Sequence, residues 1–171
     1  MYSFIYNSPL GALHINANEQ HICSVRFGNK DSDFFDQNST DTPSPLQQIC
    51  LQQLDAYFNG DNLEFDLPLQ QPGTEFQQKV WAGLCNIKPG NTISYLSFSK
   101  QLGNAKAIRA VGTANGRNNI AIFVPCHRVI GSNGKLVGYA GELWRKQWLL
   151  QHEAKYSNGV QDLFYTDSSL Q

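Results

Sequence analysis

The feature that most constrains the fold of this sequence is a reversal of charge partway along the chain. Residues 1–72 contain two Lys or Arg against nine Asp or Glu, a net −7, whereas residues 73–155 contain eleven against three, a net +8. The reversal coincides with the Pro- and Gly-containing stretch Leu67–Gly73, which is typical of a linker. We therefore predict two domains, 1–72 and 73–155, followed by a flexible polar tail, 156–171.

The composition fits a soluble protein with a packed core. The chain has 171 residues, 41% of them hydrophobic, and no apolar run long enough to span a membrane. Its polar start lacks a signal-peptide profile, so we expect an intracellular protein, cytoplasmic or, in a eukaryote, nuclear. The four cysteines lie far apart without a CxxC pair, which argues against a structural zinc site. Three are expected to be buried and inert: Cys23, Cys50 and Cys85.

The first domain is predicted to contain a small antiparallel sheet and one helix. Apolar and polar residues alternate around turn signals in 2–28, which is the pattern of a β-meander. Asp31–Asp41 is acidic and without periodicity, and is predicted to be a loop. Pro45 is predicted to open an amphipathic helix that ends at Asn59–Gly60.

The second domain begins with a predicted helix whose capping box is Thr74–Gln77. Its apolar face is predicted to contain Phe76, Val80, Trp81, Leu84 and Ile87. Two shorter helices, Ser94–Leu102 and 105–114, are joined by a tight glycine-containing turn, as in a helix-turn-helix. The second is made mostly of small residues with the cations Lys106 and Arg109. Such a helix can approach phosphates closely, although small residues equally allow close packing between helices.

The remaining pattern completes an α+β fold. The apolar run 120–124 is predicted to be a strand, and the turn Gly131–Gly134 to return the chain as a second strand, Leu136–Val137. Glu142–Lys155 is predicted to be the last helix. The residues expected to pack from this helix are Leu143, Trp144, Trp148, Leu149 and Ala154.

Cys126 is the candidate nucleophile. A cysteine is strongly nucleophilic as a thiolate, and the adjacent His127 and Arg128 favour that form. Neighbouring side chains of an extended strand point to opposite faces, so a hydrogen bond between Cys126 and His127 requires either a bridging water or a bend, which Pro125 and the glycine-rich turn after it suggest. Glu153 is one of three carboxylates in the second domain and a candidate to orient the imidazole. The alternative is a buried, inert thiol.

Four segments of the second domain occur together in one known family. They are Ile93-Ser94-Tyr95, Arg109-Ala110-Val111-Gly112, Val124-Pro125-Cys126-His127-Arg128-Val129-Ile130-Gly131 and Gly138-Tyr139-Ala140-Gly141. In this order they resemble the O6-alkylguanine-DNA alkyltransferases. The resemblance covers 73–153, and the stretches 8–11 and 56–60 extend it to the first domain. It implies a ribonuclease H-like first domain and a winged-helix second domain that carries the active cysteine.

The resemblance implies DNA repair by a protein that is consumed in the reaction and needs no cofactor. Cys126 would take the alkyl group of O6-alkylguanine, or of O4-alkylthymine, by in-line displacement and keep it as a thioether. His127, backed by Glu153, would assist through a water. Tyr95 would help guanine to leave as a neutral base, and Asn118 would brace the helix-turn-helix against the active-site segment.

The resemblance further implies a monomer that binds duplex DNA and no membrane, and that flips the damaged nucleotide out of the stack. Arg109 would fill the vacated space, and Tyr139 would cover the flipped base. The other positions expected to contact the base or the DNA are Ala110, Val129, Ala140, Lys106, Arg117 and Arg128.

Two positions depart from the family pattern. The family usually has proline where this chain has Asn119, and a small residue where it has Glu142. We expect Asn119 to loosen the loop that positions Asn118, and Glu142 to bring a carboxylate near the pocket mouth and the incoming phosphates. The zinc ligands of some relatives are not all Cys or His here, so no metal is expected.

Three other functions compete with alkyl transfer. Relatives that only bind alkylated guanine lack the reactive cysteine, whereas Cys126 is present here. A winged-helix regulator would use the basic domain but leave Cys126, His127 and Glu153 unexplained. A cysteine hydrolase would need an oxyanion hole, which nothing in the sequence indicates.

Overall fold

The structure, a computed structural model, describes residues 1–28 and 42–157. The predicted loop Asp31–Asp41 and all but the start of the predicted tail lie outside the described residues. The chain divides into two units. Unit 1 comprises residues 1–72 together with Asn119–Ala121, and unit 2 comprises Gly73–Asn118 and the chain from Ile122 onward.

Unit 1 is built on the predicted meander. Strands β1 (Tyr2–Ser8), β2 (Gly11–Ala17) and β3 (Ile22–Phe27) form an antiparallel sheet in the order β1-β2-β3. Successive side chains of a strand point to opposite faces, so one face of β2 supplies core residues. These are Leu13, Ile15 and Ala17, all fully buried.

Helix α1 (Pro45–Asn59) has the boundaries that the sequence predicts. The Ser44 hydroxyl accepts a hydrogen bond from the Gln47 N–H (3.1 Å), and Pro45 occupies the first turn. Gly60 ends the helix with φ of 79°, a left-handed conformation that glycine adopts without a steric penalty. The helix buries Cys50, Leu54 and Tyr57.

Unit 2 begins with α2 (Glu75–Leu84), whose capping box is formed as predicted: Thr74 and Gln77 each accept a hydrogen bond from the other's N–H. The helix buries Val80, Trp81 and Leu84, but Phe76 is exposed, contrary to the prediction. The Trp81 indole N–H donates to the Ala114 carbonyl oxygen (2.9 Å) and so joins α2 to the helix that contains Ala114.

Helices α3 (Tyr95–Gln101) and α4 (Ile108–Gly116) form the predicted helix pair. Helix α4 begins at Ile108 rather than at residue 105. The reason is a separate turn at Asn104, whose side chain accepts from the Lys106 N–H (3.0 Å) and whose carbonyl accepts from the Ala107 N–H (3.1 Å). Asn104 therefore caps this turn and not the helix.

Both strands predicted after residue 119 are absent. Residues 120–124 contain only an isolated bridge at Ile120 and then turn, with Ile122 at a φ of 70°. Leu136 is buried but belongs to no strand. Instead β4 (Ile93–Ser94) pairs in parallel with β5 (Val129–Ile130). An apolar run marks burial, and its periodicity alone does not separate a strand from a buried irregular segment.

The last helix, α5 (Leu143–Ser157), contributes both apolar and polar residues to the interior of unit 2. Leu149, Leu150 and Ala154 are buried, whereas Leu143 and Trp144, which were predicted to pack, are exposed. Buried polar residues on the same helix are Lys146, His152 and Glu153. The predicted α+β class is confirmed. Within residues 1–28 and 42–157, no helix is both long and apolar enough to cross a membrane.

Candidate active site

The segment that carries Cys126 bends as the sequence predicts. Pro125 has φ of −82° and ψ of 63°, close to an inverse γ-turn, and the Cys126 N–H donates to the Val124 carbonyl oxygen (2.8 Å). Cys126, His127 and Arg128 then form a short 3-10 turn and are all buried. The alternation of an extended strand is broken here, so Cys126 and His127 are not held on opposite faces.

A buried carboxylate holds the two basic side chains that follow Cys126. The His127 Nε2 atom lies 2.7 Å from Glu153 Oε1, with both side chains fully buried. Arg128 donates to both oxygens of the same carboxylate, from Nε to Oε2 and from Nη2 to Oε1, each at 2.9 Å. A further Arg128 N–H donates to the Ile87 carbonyl oxygen. The structure thus brings together His127 and Glu153, which are 26 residues apart.

The charges of this cluster fix the protonation of His127. Burial opposes ionisation of Glu153, but His127 and Arg128 outweigh it and hold the pKa of that carboxyl well below its usual range. Burial lowers the pKa of His127 below its ordinary value, with Glu153 opposing. The imidazole is therefore neutral at pH 7, with its proton on Nε2 facing the carboxylate. The other nitrogen, Nδ1, is buried, makes no hydrogen bond among the described residues, and carries the basic lone pair.

The thiol of Cys126 is protonated in the resting protein. Burial raises its pKa, and this effect exceeds the lowering by a hydrogen bond from the Asn118 side chain and by the charge of Lys146. Asn118 also donates from Nδ2 to the Val124 carbonyl oxygen (2.9 Å), which ties the chain after α4 to the active-site segment. Nucleophilic attack by this cysteine therefore requires removal of its proton.

Asn115, which the sequence analysis missed, links Tyr95 to the active-site segment. Its Nδ2 donates to the Tyr95 hydroxyl oxygen (3.1 Å) and to the Cys126 carbonyl oxygen (3.4 Å). Of the two terminal atoms of the Asn115 side chain, only the nitrogen can donate to a carbonyl oxygen, so the second contact fixes the orientation of the amide. Burial and the nearby Cys126 raise the pKa of Tyr95, with Asn115 opposing, so the hydroxyl keeps its proton and is free to donate it. Asn115 lies four residues after buried Val111, and this polar residue on the apolar face of α4 was the available signal.

Lys146 was also missed. Its ammonium is fully buried and donates to three backbone carbonyls, of Val129 (2.7 Å), Val137 (2.9 Å) and Gly138 (3.4 Å). Burial lowers its pKa to about 8. Lys146 therefore joins α5 to β5 and to the residues just before Tyr139. The signal was a lysine on the same helix face as Leu149 and Leu150.

The residues predicted to read the base differ in exposure. Val129 is buried, Ala140 is exposed, and Tyr139 is half-buried with its hydroxyl oxygen inside. Burial, together with Cys126 and Glu153, raises the pKa of Tyr139 well above its usual value, so this hydroxyl also stays protonated.

An open cleft and exposed cations lie along the helix pair. The cleft has a volume of about 370 Å³ and is lined by Tyr95, Leu96, Ile108, Gly112 and Ser132. Arg109 and Ala110 are exposed at the start of α4, and Lys106 and Arg117 are exposed before and after it. These four residues are therefore accessible to a ligand as large as DNA.

Arg128 and Cys85 lie in surroundings other than those expected. Arg128 was predicted to contact DNA; in this structure its guanidinium is buried and bound to Glu153, because a carboxylate inside the protein needs a cation beside it. Cys85 was predicted to be buried and is exposed, whereas Cys50 is buried and Cys23 is half-buried. Among the described residues, no group of three His, Cys, Asp or Glu side chains is placed to hold a metal ion.

The two departures from the family pattern have definite structural roles. Asn119 does not loosen its loop: its N–H donates to Gln71 Oε1 and its side-chain oxygen accepts from Arg26 Nη2, both at 2.9 Å. Glu142 is exposed and has φ of 75°, a left-handed conformation that is unfavourable for a glutamate. Its carboxylate accepts a hydrogen bond from the Trp144 indole N–H (2.8 Å).

Comparison with known proteins identifies the family. Residues 75–155 match the DNA-binding domain of 6-O-methylguanine DNA methyltransferase, and residues 1–71 match its ribonuclease-like domain. The methylated-DNA–protein-cysteine methyltransferase of Methanosarcina acetivorans is 44% identical over 153 residues, which is 90% of this chain and 98% of that protein. The chain belongs to the O6-methylguanine-DNA methyltransferase family.

Other members agree in sequence and in fold. The constitutive methylated-DNA–protein-cysteine methyltransferase of Bacillus subtilis is 46% identical over 137 residues, covering 78% of this chain and 83% of its own. The crystal structure of Mycobacterium tuberculosis OGT in complex with DNA superposes with a TM-score of 0.81 at 39% identity. That match covers 98% of this chain and 100% of the other.

Proposed function

We propose that this protein repairs alkylated DNA by moving the alkyl group from O6 of guanine, or from O4 of thymine, onto Cys126, which is not regenerated. The observation that carries the proposal is a buried thiol in the same short turn as an imidazole paired with a buried carboxylate. A regulator that only binds DNA would leave the thiol, the imidazole and the carboxylate without a chemical role. The names of the relatives, methylated-DNA–protein-cysteine methyltransferases, support the same reaction.

The transfer is an in-line displacement at the alkyl carbon. The bond from Cys126 sulfur to that carbon forms as the bond from the carbon to O6 breaks, which leaves a thioether on the protein. The thiol proton passes through a water to His127 Nδ1, the basic nitrogen of the neutral ring. Glu153 stabilises the imidazolium that results, and Arg128 keeps the carboxylate ionised. Because no step removes the thioether, each protein molecule reacts once.

The leaving group is guanine, which departs more readily as a neutral base than as an anion. Tyr95 supplies the proton, because its hydroxyl keeps its hydrogen and accepts a hydrogen bond from Asn115 in the resting protein. Val129, Tyr139 and Ala140 bind the edge and face of the flipped base. Lys146 holds the backbone around them.

DNA binding is assigned to residues 73–155, a basic domain that also carries the alkyl acceptor. The exposed cations Lys106, Arg109 and Arg117 bind the duplex. Arg109 fills the space that the flipped nucleotide leaves, and Ala110 and the small residues near it let the helix approach the DNA closely. The acidic residues 1–72 act as a support domain that faces away from phosphate. We expect the protein to act as a monomer in the cytoplasm, or in the nucleus of a eukaryote.

The test is a titration with a duplex that carries one O6-methylguanine. With the lesion in excess, we expect the amount of O6-methylguanine converted to guanine within the duplex to equal the amount of protein and then to stop. Cys126→Ala should convert none and still bind the duplex, since phosphate contacts do not need the thiol. Conversion that continues past one equivalent, or that persists in Cys126→Ala, would refute the proposal.

A further inference from the structure

Residues Asn119–Ala121 belong to unit 1, although the residues on both sides belong to unit 2. The Val25 N–H donates to the Asn119 carbonyl oxygen (2.8 Å), and the Ala121 N–H donates to the Val25 carbonyl oxygen (3.0 Å). Between them Ile120 forms a parallel bridge with Val25 and is fully buried. The segment is therefore held against β3 in the manner of a short extra strand.

Asn119 adds two contacts that the proline usual in the family could not make. A proline has no N–H to donate to Gln71 Oε1 and no side-chain oxygen to accept from Arg26. Gln71 is only 7% exposed, so its oxygen gains from having a donor. The first contact uses the backbone and the second uses the side chain, so together they fix both the position and the orientation of Asn119.

The residue before this segment contacts the chain around Cys126. The Asn118 side chain donates a hydrogen bond to the Val124 carbonyl oxygen (2.9 Å), and its hydrogen bond to the Cys126 thiol lowers the pKa of that group. Ile122 is buried and has φ of 70°, a conformation that a β-branched residue keeps only when its surroundings impose it. A segment fixed at 119–121 supplies this constraint through the chain itself.

We propose that Asn119, held by Gln71 and Arg26, is a positioning residue for alkyl transfer, and that unit 1 acts on the reaction through this anchor. The anchor keeps Asn118 and Ile122 in place, so that the thiol is presented in the geometry required for in-line attack. This inference rests on the proposed function. It gives the N-terminal domain a role in the chemical step that does not involve contact with DNA.

The test compares single and double substitutions at the buried contact. Asn119→Pro leaves Gln71 Oε1 without this donor, and Gln71→Leu leaves the Asn119 N–H without its acceptor. We expect each to slow alkyl transfer about tenfold at saturating lesion duplex, which corresponds to one lost buried hydrogen bond. DNA affinity should be unchanged. The double variant should be no slower than Asn119→Pro alone, because both substitutions remove the same hydrogen bond. Should Asn119→Pro not fold, Gln71→Leu probes the same contact from the other side.

The matched control is Gln53→Ala. Gln53 also makes two hydrogen bonds within unit 1, donating to the Asp66 carbonyl oxygen (2.9 Å) and accepting from the Asp66 N–H (2.8 Å), and neither of them involves a residue of the anchor. We expect it to lower the melting temperature without changing the transfer rate. Arg26→Lys should retain more activity than Arg26→Ala, because a lysine can still donate to Asn119.

The outcomes separate this inference from the proposed function. A native protein that transfers no alkyl group overturns the proposed function itself. A native protein that reacts, with variants at Asn119 and Gln71 that react equally fast, overturns only the positioning role. The role is also overturned if Gln53→Ala slows transfer as much as they do, since the effect would then follow stability alone.

Discussion

Replacing Glu153 by glutamine removes one negative charge from a fully buried site with little change of shape. The native carboxylate accepts hydrogen bonds from His127 and Arg128 through both oxygens. A carboxamide has a single acceptor oxygen, so at least one guanidinium N–H loses its partner and the positive charge of Arg128 is left uncompensated. Removal of one partner of a buried ion pair costs about 3–5 kcal/mol.

We therefore expect the free energy of unfolding of Glu153→Gln to fall by about 3–5 kcal/mol at pH 7, and its Tm by roughly 10 °C. Urea unfolding followed by circular dichroism measures this difference. Glu75→Gln, which changes an exposed carboxylate in the first turn of α2, is the control and should stay within about 0.5 kcal/mol. At a temperature where the variant is folded, alkyl transfer should be slower by at least about a hundredfold, because His127 loses its orienting anion.

The pH dependence of stability should differ between the two proteins. The folded pKa of Glu153 is depressed, so its stabilising contribution is complete above the unfolded value of about 4.3 and is lost as pH falls toward the folded value. The advantage of the native protein over Glu153→Gln should therefore shrink in acid. Equal unfolding midpoints at pH 7, or an advantage that grows in acid, would refute the reasoning about this buried cluster.

Three further predictions concern the base, the leaving group and the entrance. Because burial lowers the pKa of His127, the transfer rate should stay level as pH falls through about 6.5 and decline only below it. A transfer rate, measured by stopped flow, that already declines above pH 6.5 would contradict a neutral resting imidazole. Asn115→Ala should slow transfer, and this effect should largely disappear when Tyr95 is already replaced by phenylalanine, because Asn115 acts through the Tyr95 hydroxyl. Additive effects in this double-mutant cycle would mean that the two residues act separately. Glu142→Gly and Glu142→Gln should both tighten DNA binding at low salt, because each removes a negative charge. Only the glycine variant should gain stability, by about 1 kcal/mol, because glycine adopts the left-handed backbone conformation without a steric penalty. Equal melting temperatures of the two variants would show that no strain is stored at this position.

The elements that the sequence predicted well are those with local signals. The capping box at Thr74–Gln77 and the proline and glycine that bound α1 act on their own turns, so their effect survives in any tertiary context. The bend at Pro125 is local in the same way. The pairing of His127 with Glu153 joins residues that are distant in the sequence. The residue types alone did not establish this pairing, and the resemblance to a known family was needed to predict it.

The elements that were missed or wrong depend on tertiary contacts. Arg128 is a residue of the type that often binds DNA, but its guanidinium lies in the interior because it pairs with the buried carboxylate of Glu153. The run 120–124 is apolar because it is buried, and the contacts with Val25 and Gln71 that shape its start come from far along the chain. Local periodicity contains no information about such partners.

The central claim is that Cys126 itself accepts the alkyl group, once. The most direct measurement is the intact mass of the protein after reaction with a limiting amount of duplex containing O6-methylguanine, followed by peptide mapping. We predict that the mass of one protein molecule per lesion rises by one methylene, and that the gain lies on the peptide containing Cys126. A gain on Cys23, Cys50 or Cys85, or repair of the lesion with no change in protein mass, would contradict the account.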